Sequence, residues 1–224
     1  MRINKSMKLK YVFVICIVLF FGYIGYQDLA NTNVATAERY ATAALADASK
    51  DTAASGTKTS SYYGAKRAQI ALAEYRLGVS ESTRGCNCGP IVDKYTGGLR
   101  AQWCTMFASW VANEAGYPLI NEKTHSWRIE NSRDFAANLQ ANGTWYSREE
   151  VIKNNIQPRI GDFIVSWRGD FEDNLGHVDI VVSPGSSAGS AGLVGGNLKD
   201  NVKYREFPYL EYYGFLGFGR PEKD

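Results

Sequence analysis

Cys104 and His177 are the two residues of this chain best placed by type and spacing to do chemistry together. In AQWCTMFASWVANEAG, residues 101–116, the small and apolar side chains after Cys104 recur at Phe107, Ala108, Val111, Ala112 and Ala115, the i, i+3, i+4, i+7 spacing of one helix face. The thiol therefore sits at a helix N-terminus, where unpaired N–H groups and the helix dipole stabilise a thiolate. The residues before it, Ala101, Gln102 and Trp103, are poor side-chain N-caps, which leaves first-turn N–H groups free for an anion such as the oxyanion of acyl transfer. His177, in LGHVDIVVS, opens an apolar strand on which alternation puts His177, Asp179 and Val181 on one face and Val178, Ile180 and Val182 on the other. A thiol at a helix start and a later imidazole on a strand are what thiol nucleophilic catalysis requires. Each also has a plainer reading, as a small buried apolar side chain and as a structural histidine.

The other candidates are weaker. Cys86 and Cys88 form a C-x-C pair, a poor match to zinc-ligand spacing, so neither a metal nor a cofactor is expected. They read as a local disulfide, free thiols, or a redox trap for Cys104, with a structural or incidental role favoured. His125, in KTHSW, reads as a loop histidine.

Elements able to position this pair follow from periodicity. AKRAQIALAEYRLG, residues 65–78, predicts a helix ending at Gly78, and SRDFAANLQANG, residues 132–143, predicts another ending at Gly143. A Gly-rich loop lies between the first helix and that of Cys104. After QPRIGD the chain turns to short β-branched and aromatic stretches: FIVSW, HVDIVV, GLVGGNL, VKYREFPYL and YYGFLGFG. Helices first and strands after predict an α+β fold with an antiparallel sheet, beginning near Tyr62 and occupying residues 62–224. Residues 27–61, rich in Ala, Thr, Ser and Asp, predict a spacer with little to bury. At the N-terminus, Arg2, Lys5, Lys8 and Lys10 precede an uncharged run from Tyr11 to Tyr26. Residues 1–26 thus predict a membrane anchor or an export signal, with the rest of the chain outside the cytoplasm, membrane-anchored or secreted. The net charge of +2, with no basic run interleaved with aromatics, argues against a nucleic-acid partner. Nothing in the sequence sets an oligomeric state.

WCTMFASWVANEAG, PRIGDFIVSW, GHVDIVV, GLVGGN and GFLGFGRP occur in the order and spacing of CHAP domains, and residues 62–221 resemble that family. CHAP domains are the cysteine- and histidine-dependent amidohydrolase/peptidase branch of the papain-like fold, and most cut amide bonds in peptidoglycan. The resemblance implies Cys104 as nucleophile, His177 as general base and acid, and Asn197 of VGGN as the group that orients the imidazole. Asp179 is the alternative third member. Two departures bear on that choice: relatives often carry an acid where this chain has Gly195, and a small residue where it has Asp179. Residues 79–100 lack the acidic loop through which some relatives bind calcium. The neighbouring NlpC/P60 family fits less well, since no histidine follows His177 and Trp103 precedes Cys104.

The expectation is a cysteine-dependent amidase or endopeptidase acting on a peptidoglycan peptide through a thioester. A catalytically weak wall-binding module on the same fold and an acyl-transfer enzyme are the alternatives.

Overall fold

A computed structural model describes residues 31–168 and 176–223. The apolar run 11–26 and the acidic residues Asp170, Glu172 and Asp173 lie outside these residues. Among the described residues no helix is long and apolar enough to cross a membrane. The chain divides into two compact units, Met1–Thr36 and Ala37–Asp224. Residues 31–36 of the first are helical.

In the second unit, helix α1 spans 37–55. Ala37, Ala41 and Ala48 on it are buried, and Glu38 accepts from Arg76 Nε at 2.7 Å. Residues 37–61 of the expected spacer fall in the same compact unit as the domain, and 37–55 of them are helical. Alanine buries little area per residue, but its small side chain lets a helix approach its support closely.

Helix α2 (Ser60–Arg76) is capped by the Thr59 hydroxyl and places Ala65, Ala68, Ala71 and Leu72 inside. A short helix α3 (Val92–Thr96) forms in the stretch read as loop, closed by Gly97 in the left-handed region. Helix α4 (Cys104–Glu114) and α5 (Ser132–Asn142) follow. Two further elements were not expected: β1 (Thr144–Ser147), and α6 (Arg148–Asn154), which opens with a capping box between Ser147 and Glu150. The signal S-x-x-E is legible in SREE, but the apolar content of this stretch is too low for periodicity to find it.

The remaining strands are β2 (Phe163–Trp167), β3 (Gly176–Pro184), β4 (Ala191–Gly195), β5 (Lys203–Phe207) and β6 (Phe215–Arg220). They pair antiparallel in the order β1-β6-β2-β3-β4-β5, so the fold is α+β. β3 lies centrally, and its nine residues are buried except at the ends. One apolar cluster joins Ile164, Val181, Leu193, Phe215 and Phe218 with Val151 of α6. Each such side chain contributes on the order of 2 kcal/mol by leaving water.

Two buried ion pairs fasten the ends of the domain. Arg67 of α2 donates to both oxygens of Glu222 at 2.6 and 3.0 Å and to the Gly161 carbonyl at 2.8 Å. Arg220 of β6 holds Asp162 at 2.8 Å.

Candidate functional site

The start of α4 is fixed by Trp103, which is fully buried. Its ring stacks on Tyr95 with centroids 5.8 Å apart, and its Nε1–H donates to Glu81 Oε1 at 2.8 Å. Trp103 is the N-cap residue and makes no side-chain capping bond, so the first turn keeps donors available beside the thiol. Cys104 is 6% exposed, with Sγ 3.8 Å from the Gly176 carbonyl oxygen and 3.8 Å from Thr105 Oγ1. Gly176 opens β3, and His177 follows it. The helix start and the strand start therefore bring thiol and imidazole to one place from residues 73 positions apart in sequence.

The glycines of VGGN make that approach possible. A Cβ on Gly196 would lie 2.7 Å from Phe107 Cβ and 2.8 Å from Trp103 Cζ3, so only glycine lets the end of β4 touch the start of α4. A Cβ on Gly195 would lie 2.1 Å from Asp179 Oδ1 and 3.0 Å from His177 Nε2. Gly195 faces Asp179 in the β3–β4 register. Its missing side chain is the space in which the Asp179 carboxylate reaches back to the ring.

His177 is fully buried, and its Nε2–H donates to Asp179 Oδ1 at 3.0 Å. That leaves Nδ1, buried and without a hydrogen-bond partner among the described residues, as the ring atom open to the sulfur. Asp179 Oδ2 accepts from Arg205 Nη2 at 2.6 Å.

These contacts set the titration of the group. Burial pushes the Cys104 thiol up, but the hydrogen bond and charge of His177, helped by Thr105 and Arg168, bring it below the ordinary thiol value. Burial pushes the His177 imidazole down, and the charge and hydrogen bond of Asp179 together with Cys104 outweigh it, so its value is raised. Asp179 is pushed up by burial and held well below the usual carboxylate range by His177 and Arg205. Each direction favours the charged form of its group, thiolate, imidazolium and carboxylate, and the three titrate as one system.

The structure does not place Asn197 on the ring. It follows β4 with φ 56°, and this left-handed turn takes its side chain off the strand ladder. Its Nδ2 donates to Gln102 Oε1 at 2.8 Å and to Asn87 Oδ1 at 3.4 Å. The group on the ring is the alternative, Asp179. A carboxylate on the same strand must bend back along its own chain to meet the ring. It does bend back, because the facing residue has no Cβ to stop it.

Cys86 and Cys88 are bonded, with S–S 2.03 Å. Between them Asn87, at φ 48°, donates its N–H to Glu81 Oε2 at 2.9 Å. The pair thus frames a loop that meets Asn197 and, through Glu81, Trp103. Among the described residues Cys104 is the free cysteine. His125 lies in an exposed turn. Arg205, Glu81 and Asn87 were not singled out from sequence, since a lone charged residue on a strand or loop carries no periodic signal.

With this geometry in place, comparison with known proteins adds one finding: the CHAP domain family matches residues 94–197, from α3 through Cys104, His177 and Asp179 to Asn197. No curated protein and no solved structure matches the chain.

Proposed function

We propose that the chain, whose residues 94–197 match the CHAP domain family, is a cysteine-dependent hydrolase that cuts an amide bond of peptidoglycan on a papain-like fold, with Cys104, His177 and Asp179 as its triad. The observation that carries this reading is the buried imidazole held by the Asp179 carboxylate at the strand start that meets the Cys104 sulfur, beside an uncapped helix N-terminus.

The thiolate attacks the amide carbon, and the carbonyl oxygen becomes an oxyanion beside the first-turn N–H groups of α4. The C–N bond breaks as the His177 imidazolium gives its proton to the departing amine, leaving a thioester on Cys104. Water then attacks the thioester with neutral His177 as base, releasing the carboxylic acid and the thiolate. Asp179 steadies the ring through Nε2 and stabilises its charged form. Asn197 acts on the cleft wall by holding the amides of Gln102 and Asn87.

Residues 1–26 act in this reading as an anchor or export signal that delivers the domain outside the cytoplasm. The Cys86–Cys88 bond supports an oxidising compartment. Digestion of purified peptidoglycan with the full chain, followed by mass analysis of soluble fragments, tests the function. New amino termini on stem or bridge peptides are expected, and release by Cys104→Ala equal to wild type overturns the reading.

A further inference from the structure

The Asp179 carboxylate divides its two oxygens between two cations, and only one of them has a place in the chemistry above. Oδ1 meets His177, and Oδ2 meets Arg205 of β5, the strand beyond β4. Asp179 faces Gly195, Gly195 faces Lys203, and Arg205 is two residues further along the same face. Arg205 therefore reaches its partner diagonally across β4, and the gap at Gly195 is what the carboxylate occupies from the other side. The guanidinium carbon lies 4.1 Å from the centroid of the Phe207 ring, which confines it. Its side chain is 30% exposed, against 1% for Asp179. Arg205 Nε is buried with no hydrogen-bond partner, so Nη2 on Asp179 is the contact that ties this side chain to the site.

Four groups then alternate in sign: Cys104 thiolate, His177 imidazolium, Asp179 carboxylate, Arg205 guanidinium. Their charges cancel. Without Arg205 the first three leave one uncompensated negative charge among residues that are each at most 6% exposed, and buried net charge is costly. The relief nearest to hand is a proton on the thiolate.

We propose that Arg205 is a positioning residue for the reactive thiol: by neutralising and orienting Asp179 it lets the carboxylate support the His177 imidazolium while Cys104 stays ionised. The inference rests on Cys104 and His177 being the reactive pair, and is independent of the substrate. The other charged groups facing this cluster stay fixed in the comparison. Arg168, after β2, acts on Cys104, and Tyr212 feels both Arg168 and Arg205. Lys203 shares the face of Arg205 on β5, whereas Glu206 is turned to Ser186 and Ser190, and Glu81 sits behind Trp103.

The test is the pH dependence of alkylation of Cys104 by iodoacetamide in the full-length chain, followed by the mass of the peptide that contains Cys104. This reads the thiolate without any substrate. Wild type is expected to react with a midpoint well below the ordinary ~8.5 of a thiol. Arg205→Met should move that midpoint up by about one pH unit, slowing alkylation about fivefold at the wild-type midpoint and about tenfold well below it, while Arg205→Lys, which keeps the charge, stays near wild type. In an Asp179→Asn background, where the carboxylate charge is gone, Arg205→Met should no longer raise the midpoint. That double replacement also removes both charges together, which buried sites tolerate better than removing one. A shifted wild-type midpoint that Arg205→Met leaves in place overturns the role of Arg205, as does an equal shift in the Lys and Met variants. An ordinary midpoint in wild type removes the reactive pair itself, a different failure.

Discussion

Gly195→Ala is the smallest change that separates Asp179 from His177 without touching either. The added Cβ would lie 2.1 Å from Asp179 Oδ1, 3.2 Å from Asp179 Cγ and 3.0 Å from His177 Nε2. Ordinary contact distances begin near 3.5 Å, so the carboxylate must retreat by roughly 1 Å or more. The present Nε2–Oδ1 distance is 3.0 Å, and a bond stretched by that amount is no longer one. The ring loses its orienting partner, and the imidazolium loses the charge that raises its value. Turnover should fall by a factor on the order of 10² or more, with KM little changed, because positioned acid–base catalysis supplies that much and the substrate-facing surface is intact. Overpacking should also cost about 1–3 kcal/mol of stability, read as a lower urea midpoint. The assay is release of new amino groups from peptidoglycan at fixed substrate, with alkylation of Cys104 beside it. Wild-type turnover in a folded Gly195→Ala protein would refute the idea that this carboxylate acts through this gap.

Asp179→Ala should lower turnover far more than Asn197→Ala, since the first strips the ring and the second loosens Gln102 and Asn87; the opposite ranking would return the role to Asn197. Moving the acid across the strand pair, with Asp179→Ala combined with Gly195→Asp, should recover part of the activity that Asp179→Ala loses, because the two positions face each other in register. The rate should rise as pH passes above the lowered thiol value of Cys104 and fall as it passes the raised imidazole value of His177. A simple thiol requirement would give no alkaline fall. For stability the directions differ. The Asp179 contribution is present above the ordinary carboxylate value and lost as pH falls below it, whereas that of His177 is present below the ordinary imidazole value and lost as pH rises through the raised one. Arg67→Ala leaves Glu222 buried and unpaired, so chemical denaturation should show a loss of about 3–5 kcal/mol.

What the sequence disclosed, and what it did not, follows from range. The helix of Cys104, the strand of His177 and the helix caps at Gly78 and Gly143 are local patterns, and they appear where periodicity puts them. Cys104 and His177 could be paired because their residue types are scarce and their chemistry is specific. The third member could not be settled that way. Choosing between Asp179 and Asn197 depends on a facing residue sixteen positions along the chain, on the absence of its Cβ, and on the sign of φ at position 197. The departures from the family pattern at Gly195 and Asp179 were visible separately. Only the strand register shows that they face each other and offset each other. Arg205 reaches its partner diagonally across an intervening strand, and α1 packs through alanines that hydrophobicity counts as weak.

Acyl transfer to Cys104 is the step on which the proposed reaction depends. The full chain should be mixed with a soluble peptidoglycan fragment, quenched in acid within the first turnover, and analysed by peptide mass. A peptide containing Cys104 that carries the mass of the acyl portion of the fragment, and that loses it on brief exposure to hydroxylamine, is the result predicted. Full hydrolysis by Cys104→Ala, or an acyl group found on another residue while Cys104 stays free, would contradict it.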